Sequence, residues 1–479
     1  MKGKKATAFS TIALTVLLTA CGTSNTTNNS AASPSAASAT PAASASAATA
    51  TPAPAKKITI TAESFKPDQK EKNDQLDQRI SRFKAKNPNV EFKKDDWQYS
   101  PLEIGVKMAS NSAPTEYTTY ATEGKVLVDK KWVADITDSM NAWSHAQDMN
   151  DLLSKPFVVN GKTYGVPIDG YVMTITLNKK LFAQKGVPLP PMDWTWDDLL
   201  DAARKINDPA KGIAGFIPMG KGPEAGWNWT NFLYAAGGDV QKIDNGKVVV
   251  TFNSDAGLKA LEFYKKLKDE NLIPQNWALG YGDALSAFAQ GRGAMVMCGS
   301  GNAADTAINE GGISKDDLVV YPIPSMTKGG KHTGVLGGNY RVINPKADKE
   351  TQQMAFKWIT DEYFTDEFLT STQKEIEDRK GKNRVYIPQP INYWKDSSDF
   401  GKKYADLLAK YDNVFKYDPQ LLSLWDGKPE AQYEAQKYYA EMANVIQKVF
   451  TTKNVDLKKT LEDTSNKVQS EVFDKVKIE

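Results

Sequence analysis

From Gly22 to Ala55 every residue is Gly, Ala, Ser, Thr, Asn or Pro. These 34 positions carry no charge, no aromatic ring and no large aliphatic side chain, so they cannot build a core. Folding therefore begins at about Lys56. As a flexible coil the segment would reach roughly 30 Å, and Pro34, Pro41, Pro52 and Pro54 would stiffen it. It reads as a stalk. The whole chain of 479 residues is 41% hydrophobic and 25% charged, a length suited to about two to four domains or one large bilobal unit. Its 60 basic and 58 acidic residues leave a net charge of +2, which argues against a nucleic-acid partner.

Before the stalk, Lys2, Lys4 and Lys5 precede a short, largely apolar run from Ala6 to Leu18. That run is too short to span a membrane and reads as a secretory signal. Leu18-Thr19-Ala20-Cys21-Gly22 resembles a bacterial lipobox. The resemblance implies a signal peptide over residues 1–20 and a lipid-carrying, palmitoylated Cys21, with residues 21–55 as the tether. Two or more acyl chains give stable anchoring. The expected location is the extracellular face of the cell membrane, of Gram-positive type; a secreted protein with a chance cysteine is the alternative. Without the three lysines, 57 basic residues face 58 acidic ones, a net charge of −1.

Two cysteines and two histidines exclude a disulfide scaffold and argue against a zinc site. Cys298, within Ala294-Met295-Val296-Met297-Cys298, reads as a buried, inert thiol. His145 and His332 offer it no catalytic partner pattern.

Ile58 and Ile60 alternate with Thr59 and Thr61 as a strand; Leu76, Ile80 and Phe83 recur at helical spacing; Val90 and Phe92 resume the strand pattern. This order predicts a parallel sheet with a crossover helix. Tyr171, Met173, Ile175 and Leu177 predict another strand. Trp196, Leu199, Leu200, Ala203 and Ile206 form a helical face, capped by Thr195 and Asp198. Leu258, Leu261, Tyr264 and Leu267 predict a helix, and Leu318 to Tyr321 a buried strand. Helices dominate beyond residue 350: Thr351–Phe364, Ala431–Phe450 and Leu457–Phe473. The fold class is α/β with a helical C-terminal portion.

Catalytic signatures are scarce. P-loop, G-x-G-x-x-G, H-E-x-x-H and EF-hand patterns are absent. Gly299-Ser300-Gly301 lacks the glycine spacing of a nucleophile elbow. Paired carboxylates for glycoside hydrolysis remain open, because two acids need only ~5–10 Å between them. No enzyme activity, cofactor or metal is expected.

Eleven tryptophans are conspicuous. Trp227-Asn228-Trp229 follows Lys221-Gly222-Pro223-Glu224-Ala225-Gly226, which reads as a loop. Sugars present apolar C–H faces ringed by hydroxyls, and suit flat aromatic surfaces beside planar polar groups. Trp227 and Trp229 are read equally as sugar platforms or as anchors of the following helix, Asn231–Ala236. Trp194, Trp196 and Trp358 are assigned to packing.

Several blocks together resemble one family. They are Gly161-Lys162-Thr163-Tyr164-Gly165-Val166-Pro167, Leu177 to Phe182, Pro190 to Lys205, Ala235-Ala236-Gly237-Gly238-Asp239, Phe288 to Met295, Val335-Leu336-Gly337-Gly338, and Ile343-Asn344-Pro345 leading to Trp358. In this order they resemble family 1 of the extracellular solute-binding proteins, the maltose-binding-protein-like sugar-binding lipoproteins of bacterial ABC importers. The resemblance implies a type II periplasmic-binding-protein-like fold of two lobes with a ligand cleft between them. Lobe 1 is expected over 56–170 plus 339–395, and lobe 2 over 171–338 plus 396–479. Crossings are expected near Ile168–Thr174, near Val335–Tyr340 and within 390–400.

The resemblance also implies the partners: a carbohydrate, expected as an oligosaccharide, and ABC permease subunits, with the protein a monomer. A secreted polysaccharide hydrolase and a sensory binding lipoprotein are the alternatives. Carried over by segment, the ligand-binding candidates are Glu63, Asp96, Trp97, Asp169, Tyr171, Trp227, Trp229, Ser300, Asn302, Asn339, Tyr340 and Arg341, with Ser64 and Phe65 beside Glu63. Asp169 and Tyr171 lead, since crossing residues must face the cleft or the hinge. Two departures bear on the ligand: Ala113-Pro114-Thr115 replaces the family's Pro-Asp, and Cys298 to Asn302 lacks its tryptophan.

Overall fold

A computed structural model describes residues 56–299 and 301–478. The signal, Cys21 and the stalk, and also Ser300, lie outside the described residues. The strand Ile58–Glu63 pairs in parallel with Val90–Asp95, with Ile58 opposite Val90 and Ile60 opposite Phe92. The connecting helix, Lys70–Lys86, turns Leu76 and Phe83 inward onto Ile58 and Ile60. The alternating and helical periods of the sequence thus give the expected strand–helix–strand unit.

Beside it lies a second, antiparallel sheet whose middle strand, Asn339–Ile343, arrives from far along the chain. It pairs with Glu116–Tyr120 on one edge and Gly165–Pro167 on the other. Tyr340 and Val342 enter the apolar cluster around Trp97, Tyr99 and Tyr117. Ile343 enters the neighbouring cluster of Ile60, Phe83 and Trp358. One lobe is therefore stitched from discontinuous segments.

The other lobe is built on Tyr171–Asn178, a strand buried along nearly its whole length. Met295–Gly299 and Leu318–Pro322 flank it antiparallel, and His332–Gly337 pairs antiparallel with its first residues. Trp425–Pro429 adds to His332–Gly337 in parallel. The parallel pairing expected of the first strand–helix–strand unit is present; the larger sheet is mainly antiparallel, with one parallel pair. Its central strand takes partners brought back by long connections rather than by single crossover helices.

Helices Pro223–Ala235, Asp255–Asp269, Ala435–Thr451 and Leu457–Glu471 cover this sheet and share one large core. A Cβ at Gly226 would lie 2.3 Å from the Tyr439 carbonyl oxygen, so only glycine lets those two helices meet. Thr195 and Asp198 form the expected capping box at Trp196–Ile206. Trp194 and Trp196 are packed, their indole N–H groups donating to the carbonyls of Pro322 and Pro324 at 2.8 and 3.1 Å. Cys298 is fully buried, and burial pushes its thiol up to about 12, which keeps it neutral and inert.

The chain passes between the two cores at Asp169–Tyr171 and again at Gly337–Asn339. A Cβ on Gly338 would lie 2.4 Å from the Asp169 carbonyl oxygen, so the two passages touch where a side chain has no room. Further along, the chain passes between the cores several times. Val385 and Ile387 pack on the second core, Tyr393 to Tyr404 return to the first, and Phe415 joins the second again. Phe400 and Tyr404 thus sit in the first core. The helix Asp399–Ala409 carries both rings on one face, and that face settles against Trp394 and Phe368.

Candidate functional site

Where the passages meet, a cavity of about 290 Å³ is lined by Asp169, Gly170, Tyr171, Trp227, Tyr281, Gly299, Asn302, Asn339 and Gln389. A second cavity of about 290 Å³ lies along Leu318–Val320 and Val414–Asp418, and none of the passage residues Asp169, Tyr171 and Asn339 lines it. The first is the candidate site, since ligands in α/β folds gather where strand ends and topological switches converge.

One wall is aromatic. Helix Pro223–Ala235 begins with proline at its first turn, where the missing N–H costs nothing. Trp227-Asn228-Trp229 is therefore helical, not a loop. Residues two apart on a helix point about 200° apart, so the two tryptophans separate: Trp227 faces the cavity, and Trp229 is 0% exposed in the core. The Tyr171 ring stands edge-on to Trp227 at 5.9 Å, and the Tyr281 ring lies tilted 6.2 Å from it. Glu224 holds Tyr281 by accepting its backbone N–H at 2.6 Å, and Asn302 donates to the Tyr281 hydroxyl at 2.6 Å. The Trp227 indole nitrogen is buried with no hydrogen-bond partner.

The facing groups are polar. The Asp169 carboxylate accepts the Asn339 backbone N–H at 2.9 Å and its side-chain amide at 3.0 and 3.1 Å. These bonds clamp the first passage to the second. Burial raises the Asp169 carboxyl above the usual carboxylate range, while the Asn339 donors pull it back. Among the described residues, no Lys or Arg lines the cavity.

The structure thus brings Asp169, Tyr171, Trp227, Asn302 and Asn339 together and leaves the other described candidates elsewhere. Glu63 is buried, accepting the Thr118 backbone N–H at 3.1 Å and also the Thr118 hydroxyl. Asp96 is exposed beside Lys66 at 3.5 Å. Trp97 packs in the first lobe, its indole donating to Glu103 at 2.8 Å. Ser64 is buried, and its carbonyl accepts from Gln98; Phe65 lies under Lys72. Tyr340 is buried, its ring 4.6 Å from Phe157 and its hydroxyl donating to the Leu153 carbonyl at 2.6 Å. Arg341 pairs with the fully buried Glu116 at 2.6 Å. The polar side-chain groups of Glu63, Trp97, Tyr340 and Arg341 are thus already spent on neighbours.

The sequence reading missed Tyr281, Gly170, Gly299 and Gln389. Tyr281 and Gly299 sit at element ends, where ligands gather, and that was the available signal. Tyr120 was missed as well. It lies directly opposite Asn339 in the antiparallel register and is 41% exposed. Directly opposed residues share one face of a sheet.

Residues 66–376, well over half of the chain, match the profile of the bacterial extracellular solute-binding protein family. The chain belongs to that family. Among its relatives is the diacetylchitobiose binding protein DasA of Streptomyces coelicolor, 23% identical over 56% of this chain and 61% of that one. The chain spans only about half to three-fifths of the length of the curated relatives it matches. Solved structures share the fold over nearly their full length. The GacH receptor of Streptomyces glaucescens, solved unliganded and with acarbose, is 19% identical with a TM-score of 0.65, covering 87% of this chain and 98% of its own. UgpB of Mycobacterium tuberculosis, solved with glycerophosphocholine, is 15% identical with a TM-score of 0.66, covering 85% and 97%. The binding protein therefore has the two-lobed periplasmic-binding-protein-like fold. Among its described residues no helix is long and apolar enough to cross a membrane, and no group of three His, Cys, Asp or Glu side chains is placed to hold a metal ion.

Proposed function

We propose that this binding protein captures a carbohydrate between its lobes and hands it to the permease of an ABC importer, without chemistry of its own. The observation that carries this reading is the wall of Tyr171, Trp227 and Tyr281 facing Asp169, Asn302, Asn339 and Gln389 with no cation among them. An aromatic surface suits the C–H face of a pyranose, and the amides and carboxylate suit its hydroxyls. A phosphate- or carboxylate-bearing ligand would want an Arg or Lys. The sugar-binding descriptions of relatives such as DasA agree with this choice. A single carboxylate in the cavity supports capture over hydrolysis, which needs two.

In the proposed cycle the ligand settles on the aromatic wall, and the lobes close about the paired passages at Asp169–Tyr171 and Gly337–Asn339. Tyr120 then approaches from the first lobe, and the closed form docks on the permease. By core packing, lobe 1 comprises residues 56–170, 339–381 and about 391–409; lobe 2 comprises 171–338 and about 413–478, with 385–389 lying against it. Lipid on Cys21 and the stalk would hold the monomer at the outer face of the membrane.

The test is thermal unfolding of the protein against a panel of saccharides, with the sugars checked afterwards for breakdown. A ligand at 100 times its Kd adds ~2.7 kcal/mol of stability. A shift with the sugar intact is expected. Cleaved sugar would overturn the reading, as would a shift only with phosphate-bearing polar ligands.

A further inference from the structure

Gln389 comes to the cavity from an unusual mount. It stands between Pro388 and Pro390. Each proline fixes its own φ and removes an N–H, and the one after Gln389 holds the glutamine backbone extended. This Pro-Gln-Pro segment is also anchored on the second lobe. The Tyr417 hydroxyl donates to the Pro388 carbonyl at 3.0 Å. The Tyr386 and Phe415 N–H groups donate to the carbonyls of Asn413 and Tyr386, each at 2.8 Å. Val385 exchanges hydrogen bonds with the Asn309 side chain at 2.8 and 2.9 Å, and Arg379 spans from the Val385 carbonyl to Asp305. Beneath the strap, a Cβ on Gly301 would lie 2.9 Å from the Tyr417 hydroxyl and 3.3 Å from Ile387. The strap is seated on the lobe that carries the aromatic wall, so lobe closure does not lift it away. Gln389 itself is exposed, and its amide, which both donates and accepts, is free to meet a ligand.

The cavity that this strap bounds is small. Its volume of about 290 Å³ lies at the bottom of the ~300–1,000 Å³ range of small-molecule sites. We propose that Gln389, held by the Pro388–Pro390 strap, is the end wall of the site and reads a terminal hydroxyl, so that the ligand is a neutral saccharide of about one or two rings. This rests on the carbohydrate reading above and narrows it to the short end of the oligosaccharide range.

The test is calorimetric titration of the full chain with matched mono- to tetrasaccharide ladders of glucose, galactose, mannose, xylose and N-acetylglucosamine. The expected result is one ladder whose affinity peaks at one or two rings, with a third ring changing Kd by less than about threefold. Gln389→Ala should weaken the short ligand by about three- to tenfold, the loss of one hydrogen bond. It should also let a third ring gain affinity. Tyr417→Phe, which removes one of the strap's anchors and no cavity-lining group, should shift the length preference the same way with a smaller loss. Affinity rising about tenfold per ring through the tetrasaccharide would overturn the end wall while leaving the carbohydrate reading standing. So would variants whose length profile matches the parent's. Binding to none of the ladders would overturn the carbohydrate reading itself.

Discussion

The two lobes both carry polar and aromatic side chains near the passages between them, yet they use them differently. In the first lobe Glu63, Glu116, Arg341 and Trp358 form a closed network. Arg341 is held by Glu116, which also accepts the Trp358 indole N–H and the Glu63 backbone N–H, both at 3.2 Å. In the second lobe the Trp227 ring lines the cavity beside Tyr171 and Tyr281, and its buried indole N–H has no partner inside the protein. A group whose hydrogen bonds are all satisfied inside the protein holds structure. A group left unsatisfied beside a cavity is available to a ligand.

The sharpest way to break this comparison is Arg341→Ala. It strands the Glu116 carboxylate, 0% exposed, and should cost about 3–5 kcal/mol of stability. Ligand affinity measured below the new melting point should stay within about twofold. A large loss of affinity with stability intact would place Arg341 in the site instead.

Next come the two tryptophans of one helix. Trp229→Ala should lower stability by about 3–5 kcal/mol through the cavity it leaves. Trp227→Ala should lower affinity by about 2 kcal/mol, roughly thirtyfold, with a smaller stability loss. Denaturant melts and titrations on the same samples separate the two. Equal effects on both quantities would remove the distinction drawn between the helix faces.

Behind Tyr171, Glu430 accepts the Tyr439 hydroxyl at 2.9 Å. Burial, with a smaller push from Glu123, raises its carboxyl from 4.5 to about 7. The folded state therefore binds this proton more tightly than the unfolded state does. Stability from this group is fully present below about 4.5 and is lost as pH rises through about 7. Glu430→Gln should flatten that slope and raise stability at pH 8 by about 1–3 kcal/mol relative to the parent. An unchanged pH profile would show that Glu430 is ordinarily solvated.

Much of the first lobe was legible because its signals are local. Alternating Ile58 and Ile60 and the Leu76–Phe83 stripe each predict one element, and a short connection leaves one way to pair them. The second sheet was not, because its central strand is paired across long intervening segments that no periodicity encodes. Glu116 and Arg341 are 225 residues apart, so the sequence shows two charged residues and not the pair that withdraws them from the site. Trp227 was found, but on the wrong element: Gly222-Pro223 reads equally as a turn and as a helix start. Gln389 was invisible because Pro-Gln-Pro resembles any linker until Tyr417 and Asn309 are seen to hold the segment beside the cavity.

The smallest effect bears on Tyr120, an exposed aromatic of the first lobe. Tyr120 touches the Tyr99 ring edge-on at 5.7 Å, and Tyr99 is itself fixed by a 2.6 Å hydrogen bond to Glu123. Tyr120 is therefore braced from behind while its own face looks outward beside Asn339. If it meets the ligand only on closure, Tyr120→Ala should weaken binding by about 0.5–1.5 kcal/mol. Stability should then stay within about 0.5 kcal/mol of the parent, with most of the loss in the dissociation rate. The opposite pattern, a lower melting point with Kd untouched, would make Tyr120 one more internally satisfied residue of the first lobe. Ligand contact would then fall entirely to the second lobe and the passages between them.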